Sequence, residues 1–188
     1  MKIVGILLAA GSGSRFGGGK LLHPLADSTP LGVASLRKLK AALPEILVVV
    51  RSGDDRLRDL MQRENAPVQV CEDAHLGMAR SLVCGVRAAA GADGWVIALG
   101  DMPYLSAATI SAVAGAIAKG AGIAIPEYQG RRGNPVGFAA RYEKELLGLQ
   151  GDEGARALVK RHATDVKVVA CDDPGILRDV DRKEDLPG

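Results

Sequence analysis

The sequence is poor in aromatic residues: two Phe, one Trp and three Tyr make 3% of 188 residues. Platforms for stacking bases are therefore scarce, and binding of single-stranded nucleic acid has little to rest on. An excess of one charge is missing as well. Lys and Arg number 24 and Asp and Glu 22, a formal charge of +2, so no long-range field steers the chain to nucleic acid or to an anionic membrane. Cysteine is sparse. Cys71, Cys84 and Cys171 are widely separated, odd in number and without C-x-x-C spacing. That argues against a disulfide framework and for buried thiols in a reduced, cytoplasmic protein. His23, His75 and His162 show no metal spacing, which argues against a zinc site. No apolar run reaches the length of about 18 residues needed to cross a membrane. The apolar start has one preceding Lys and ends in a glycine-rich basic loop, which fits a buried first strand better than a signal peptide.

What is abundant is aliphatic. Hydrophobic residues make up 47% of the chain, enough for a sizeable core in a single domain spanning 1–188. β-rich runs at Ile3–Ala9, Ile46–Val50, Val68–Cys71, Trp95–Leu99, Gly122–Ile125, Pro135–Phe138 and Val166–Ala170 alternate with helical patterns. The first, second and fourth runs are nearly continuous in hydrophobicity, as parallel strands covered on both faces are. Thr29-Pro30 reads as a cap and first turn, followed by Leu36, Leu39 and Leu43 at helical spacing. Asp54 and Asp55 open a second helix towards Glu64. Further helices are expected at Met78–Ala90, at Ser106–Ala118 with Ser106 as cap, and at Asp152–His162. This alternation predicts an α/β fold, a three-layer α/β/α sandwich around a mixed, mostly parallel sheet of Rossmann-like type. The irregular stretch from Glu127 to Gly137 is expected to add antiparallel strands at one edge. In such sheets ligands gather beyond the carboxyl ends of the strands.

The first strand runs into Leu8-Ala9-Ala10-Gly11-Ser12-Gly13-Ser14-Arg15-Phe16-Gly17-Gly18-Gly19-Lys20. Glycines let backbone N–H groups approach a phosphate. Arg15 offers a bidentate fork and Lys20 a point charge, so the loop has the parts of a triphosphate cradle. It is not a P-loop, because Ser14 and Leu21 stand where Gly and Ser/Thr are needed. It is not a dinucleotide fingerprint, because Phe16 stands where the third glycine belongs.

The pattern L-A-A-G-x-G-x-R-x-G-x-x-K closely resembles the signature loop of the molybdenum-cofactor nucleotidyltransferases, within the nucleotide-diphospho-sugar-transferase-like fold. Further segments match in the same order. Gly100-Asp101-Met102-Pro103 matches the segment that supplies a magnesium ligand, which implies Asp101 as that ligand. Val180-Asp181-Arg182-Lys183-Glu184-Asp185 resembles a closing D-x-D-T-P-E-D segment, with Asp181 as second ligand and Asp179 as its alternative; here Arg182-Lys183 replaces Thr-Pro. Two carboxylates suit Mg²⁺, which shares its shell with water and substrate phosphates. Gly77 and Ser81 match a G-M-x-x-S-L segment near the base and ribose. Met78 and Leu82 read as core positions of their helix, and the role of Arg80 stays open. Gly133, Asn134 and Pro135 match a G-x-x-G-[HN]-P-V segment on the acceptor side, joined by Asp152 and Gly154 from a G-D-x-G-A-R element.

The resemblance implies a transferase that passes CMP from CTP to molybdopterin and releases pyrophosphate. Lys20, Arg15 and Asp101 are the catalytic candidates; Leu8, Ala9, Ala10, Gly11, Gly13, Gly77 and Ser81 join Arg15 and Lys20 around the nucleotide. Ala10 favours CTP, because its Cβ narrows a pocket that a Gly would leave open for a purine. A guanylyltransferase using GTP and a sugar-1-phosphate nucleotidyltransferase are the rivals among transferases. A nucleotide- or partner-binding module is the non-enzymatic rival, and a Rossmann oxidoreductase is a third option that Phe16 weighs against. Transient delivery contact with a molybdoenzyme is implied by the resemblance and shown by no residue.

Overall fold

Three of the apolar runs become the centre of one parallel sheet. The computed structural model describes residues 1–151 and 154–186. Strand β1 (Ile3–Ala9) pairs in parallel with β2 (Ile46–Arg51) on one side and β4 (Gly94–Leu99) on the other, and β3 (Val68–Cys71) extends the sheet beyond β2. Neighbours within these strands face opposite layers. Leu7, Ala9, Val48, Val50, Val96 and Ala98 join one apolar cluster, while Val4, Ile6, Val49, Trp95 and Ile97 join the other. Burial on both faces is why the sequence runs without polar alternation.

Helices α1 (Leu31–Ala42), α2 (Asp55–Arg63) and α4 (Ala107–Ala118) supply the first cluster through Leu36, Leu39, Met61, Ile110 and Ile117. Helices α3 (Met78–Ala88), α5 (Glu143–Leu147) and α6 (Arg156–Arg161) supply the second through Leu82, Val86, Leu146 and Leu158. The result is the expected three-layer sandwich. Ser106 caps α4, its Oγ accepting from Ala108 N–H at 3.2 Å. Thr29 does not cap α1. Pro30 holds the cap position in extended backbone, and the Thr29 N–H is spent on Asp27 Oδ1 at 2.9 Å in the preceding turn.

One antiparallel strand takes the expected edge position, Arg131–Arg132, and the other does not. The remaining strands are β5 (Ile123–Tyr128), β6 (Arg131–Arg132), β7 (Val136–Ala139) and β8 (Val166–Ala170). β7 lies inside the sheet, antiparallel to both β4 and β5, while the short β6 and the parallel β8 pair with β5. Phe138 is fully buried, and Gly137 lets Ile117 of α4 come close, so β7 is an interior strand by composition. The last helix is also shorter than expected: α6 starts at Arg156, and Asp152 lies outside the described residues.

Trp95, the only tryptophan, is fully buried in β4, its indole N–H donating to the Ala89 carbonyl at 3.3 Å. All three cysteines are free, and burial pushes the Cys71 thiol up to about 12.

Gly85 sets how closely α3 lies on the sheet. A Cβ there would meet Ile6 Cγ2 at 2.7 Å and Val49 Cγ2 at 3.0 Å, both branched methyls with little freedom to move. Overpacking costs about 1–3 kcal/mol and the gain in helix propensity returns about 1 kcal/mol. Gly85→Ala is therefore expected to lower stability by roughly 1 kcal/mol in urea unfolding. An unchanged midpoint would mean that α3 lifts from the sheet without cost.

Candidate active site

The carboxyl ends of β1 to β4 open onto a cleft of about 780 Å³. Its floor comes from the loop after β1. Gly13, Gly17, Gly18 and Gly19 all have φ between +60° and +91°, a region that side chains with a Cβ rarely enter. The chain thereby makes two 3-10 turns, Ser14–Phe16 and Lys20–Leu22. Phe16 anchors the loop in the core and meets His23 edge to face at 5.1 Å. Among the described residues, the N–H groups of Ser12, Gly13, Ser14 and Arg15 donate no hydrogen bond. Consecutive free N–H groups on a glycine-rich turn form a nest for an anion.

Lys20 turns back towards the sheet. Its Nζ donates to Asp101 Oδ2 at 2.7 Å and to Asp181 Oδ1 at 3.3 Å, and Arg15 Nη1 donates to Asp181 Oδ2 at 3.1 Å. Burial opposes charge on the ammonium, but the hydrogen bonds and fields of Asp101 and Asp181 outweigh it and hold Lys20 above the ordinary lysine value. Lys20 is thus a cation throughout the neutral range. Asp101 follows β4, where Gly100 N–H donates to Leu8 O at 2.9 Å and Ser35 Oγ donates to Gly100 O at 2.8 Å. Its second oxygen, Oδ1, is buried with no hydrogen-bond partner among the described residues. An orphaned carboxylate oxygen is costly unless a cation completes it.

Asp181 reaches the site through a tie far from it. Asp173 is 7% exposed and its carboxylate accepts from Ser106 N–H at 2.9 Å, Thr109 Oγ1 at 2.7 Å and Gly175 N–H at 2.9 Å. Gly175 sits too close to the Tyr104 carbonyl to carry a Cβ. The segment therefore crosses the start of α4, and Val180 N–H donates to Asp101 O at 2.9 Å. Asp179 is exposed, and Asp181 is the acidic residue facing Lys20.

Of the residues expected around the nucleotide, Leu8, Ala10, Gly11, Gly13, Arg15, Lys20, Gly77, Ser81 and Asp101 line the cleft. Ala9 does not. It points into the first core cluster, because β1 alternates and Leu8 and Ala10 take the other face. Gly133, Asn134 and Pro135 also lie off this cleft, against the C-terminal crossing segment. Asn134 N–H donates to Ile176 O at 3.0 Å, and a Cβ on Gly133 would collide with that carbonyl. Gly154 packs at Met78, beside the cleft. Met78 is no core residue: it is 50% exposed and lines the cleft, since the first turn of α3 projects beyond the sheet. Arg80 faces Asp73 at 3.8 Å and borders a separate small cavity.

Sequence reading missed Arg51, Ser52 and Gly53 after β2, and Glu72 and His75 after β3, all of which line the cleft. Their shared signal is position at the ends of neighbouring parallel strands, which only the strand order makes visible.

A family model described as MobA-like NTP transferase domain matches residues 5–167. The purine catabolism protein PucB of Bacillus subtilis is 34% identical, with 97% of this chain and 93% of that protein covered. Nicotine blue oxidoreductase of Paenarthrobacter nicotinovorans is 28% identical over 98% of this chain and 94% of that protein. Among solved structures, Rv0371c of Mycobacterium tuberculosis superposes with a TM-score of 0.85 at 29% identity, covering 98% of this chain and 95% of that one. A manganese complex of Rv0371c superposes at 0.79 with 28% identity, covering 98% and 96%.

Proposed function

The chain belongs to the MobA-like NTP transferase family, a family of nucleotidyltransferases, and on that premise we propose that it transfers CMP from CTP to molybdopterin, with release of pyrophosphate and with Mg²⁺ as the divalent cofactor. What carries the reading is the meeting of Lys20, Asp101 and Asp181 at the mouth of a cleft floored by free N–H groups. All three roles of phosphoryl-transfer chemistry are then present: a cradle, a cation and a carboxylate pair.

Asp101 and Asp181 fit a divalent cation. Asp101 Oδ1 is the orphaned oxygen. Among the described residues no cluster of three or more His, Cys, Asp and Glu surrounds it, so phosphate and water would complete the shell. When bound, the cation neutralises charge between the acceptor phosphate and the α-phosphate of the nucleotide. The acceptor oxygen is already an anion, so no side chain has to generate a nucleophile. The obstacle is repulsion between anions, and the chain answers it with alignment and positive charge. The N–H groups of Ser12 to Arg15 and the Arg15 guanidinium hold the triphosphate. Lys20 stabilises the charge that grows on the bridging oxygen as pyrophosphate departs. Ser81 and Gly77 flank the ribose, and Ala10 presses on the base, favouring a pyrimidine. Gly133, Asn134, Pro135 and Gly154 border the acceptor, with Asp152 assigned to the same side.

The test is pyrophosphate release by the purified protein with Mg²⁺ and molybdopterin, comparing CTP, GTP, ATP and UTP. Release with CTP alone is the expected result. Release with GTP would move the chain to guanylyl transfer and end the Ala10 argument. The relative named an oxidoreductase adds one arm: turnover of a reduced nicotinamide cofactor, with no release from any NTP, would overturn the transferase reading.

A further inference from the structure

Arg15 borders two cavities. One is the cleft already described; the other is a shallow depression of about 560 Å³ that Arg15 lines together with Arg182, Lys183 and Glu184. Three cations face one lining carboxylate there. Arg15 is held by Asp181, but among the described residues neither Arg182 nor Lys183 makes an ion pair. The adjacent Asp185 does not neutralise them by direct contact. Its Oδ2 accepts the N–H groups of Asp181 at 2.8 Å and Arg182 at 2.7 Å. Ser14 and Arg15 also line this depression, and among the described residues their N–H groups donate no hydrogen bond. Two exposed cations therefore stand beside the glycine-rich loop without an ion-pair partner among the described residues.

We infer that this second cavity is a polyphosphate-tail subsite: Arg182 and Lys183, with Arg15, receive the β- and γ-phosphates of the nucleotide and retain inorganic pyrophosphate after transfer. The inference rests on the proposed nucleotidyl transfer. In that reaction a bond forms between the acceptor oxygen and the α-phosphorus, while the bond from the α-phosphorus to the bridging oxygen breaks. Pyrophosphate leaves with the bonding electron pair, so the leaving group gains negative charge just as it reaches this rim. Arg supplies a fork and Lys a mobile point charge, a pairing that suits a tail with several exchangeable oxygens. A nucleoside monophosphate has no tail and does not reach the cavity.

The test is calorimetric titration of the full chain, wild type and R182A/K183A, with inorganic pyrophosphate, tripolyphosphate, orthophosphate, CTP and CMP. Both side chains are exposed, and the Arg182 N–H that holds Asp185 survives the substitution. The double variant is expected to bind pyrophosphate and tripolyphosphate about tenfold or more weakly, as loss of charge-assisted hydrogen bonds entails, and to bind CMP unchanged. R182K/K183R keeps both charges and is expected to restore most of the affinity. Equal pyrophosphate binding by wild type and double variant would overturn the subsite. So would an equal loss for orthophosphate or CMP, which marks only general surface charge. Pyrophosphate binding that depends on Arg182 and Lys183, in a chain that binds neither CTP nor CMP, would keep the subsite and overturn the nucleotide reading.

Discussion

Asp101→Ala is expected to abolish the proposed nucleotidyl transfer, a loss on the order of a thousandfold in rate, since one preorganised electrostatic group at such a centre carries a hundred- to a thousandfold. The fold survives the change. The tie between the end of β4 and the crossing segment runs from Val180 N–H to the Asp101 carbonyl, which alanine keeps. The side chain's Oδ1 is a buried oxygen without a partner among the described residues, so its removal relieves a cost, while loss of Oδ2 takes from Lys20 its partner at 2.7 Å. The two effects oppose each other, so thermal unfolding is expected near the wild-type midpoint, while pyrophosphate release falls to background. An unchanged rate would end the assignment of Asp101. A lost rate with a collapsed midpoint would make the residue structural.

Lys20→Ala is expected to cost on the order of a hundredfold or more, in kcat rather than in KM. The ammonium sits against two carboxylates in the resting protein, at 2.7 and 3.3 Å. A side chain that only held the ground state would raise KM alone, and that outcome would refute a role in the transition state. The substitution has a second signature. It leaves Asp101 and Asp181 close together with only Arg15 to offset them, and like charges at short range favour capture of a cation. Mn²⁺ titration without nucleotide should then show tighter binding than wild type, which no loss of fold would produce.

Local chemistry was legible in the sequence and long-range placement was not. The loop from Leu8 to Lys20 announced a phosphate cradle because glycine spacing and cations are local features, and the structure folds it with positive φ at Gly13, Gly17, Gly18 and Gly19. Strands β1, β2 and β4 were readable because burial on both faces leaves an unbroken apolar run. The place of β7 was not, because strand order depends on pairing between Val136–Ala139 and residues some 40 positions earlier in β4. Arg51 and His75 joined the cleft for the same reason. Which of Asp179 and Asp181 faces Lys20 depends on the hydrogen bond from Val180 N–H, and Asp173 was invisible as a tie because its three donors lie on two separate segments.

The lone tryptophan gives this architecture an optical handle. Trp95 lies in β4, opposite Val4 of β1 on one side and Phe138 of β7 on the other. The indole thus stands at the seam between the parallel strands that carry the phosphate loop and the later strands that lead to Asp181. Its emission reports whether that seam is closed, and excitation at the red edge of the indole band keeps the three tyrosines out of the signal. Fluorescence therefore distinguishes a chain whose two parts have docked from one in which the nucleotide loop has formed without the carboxylate that completes it.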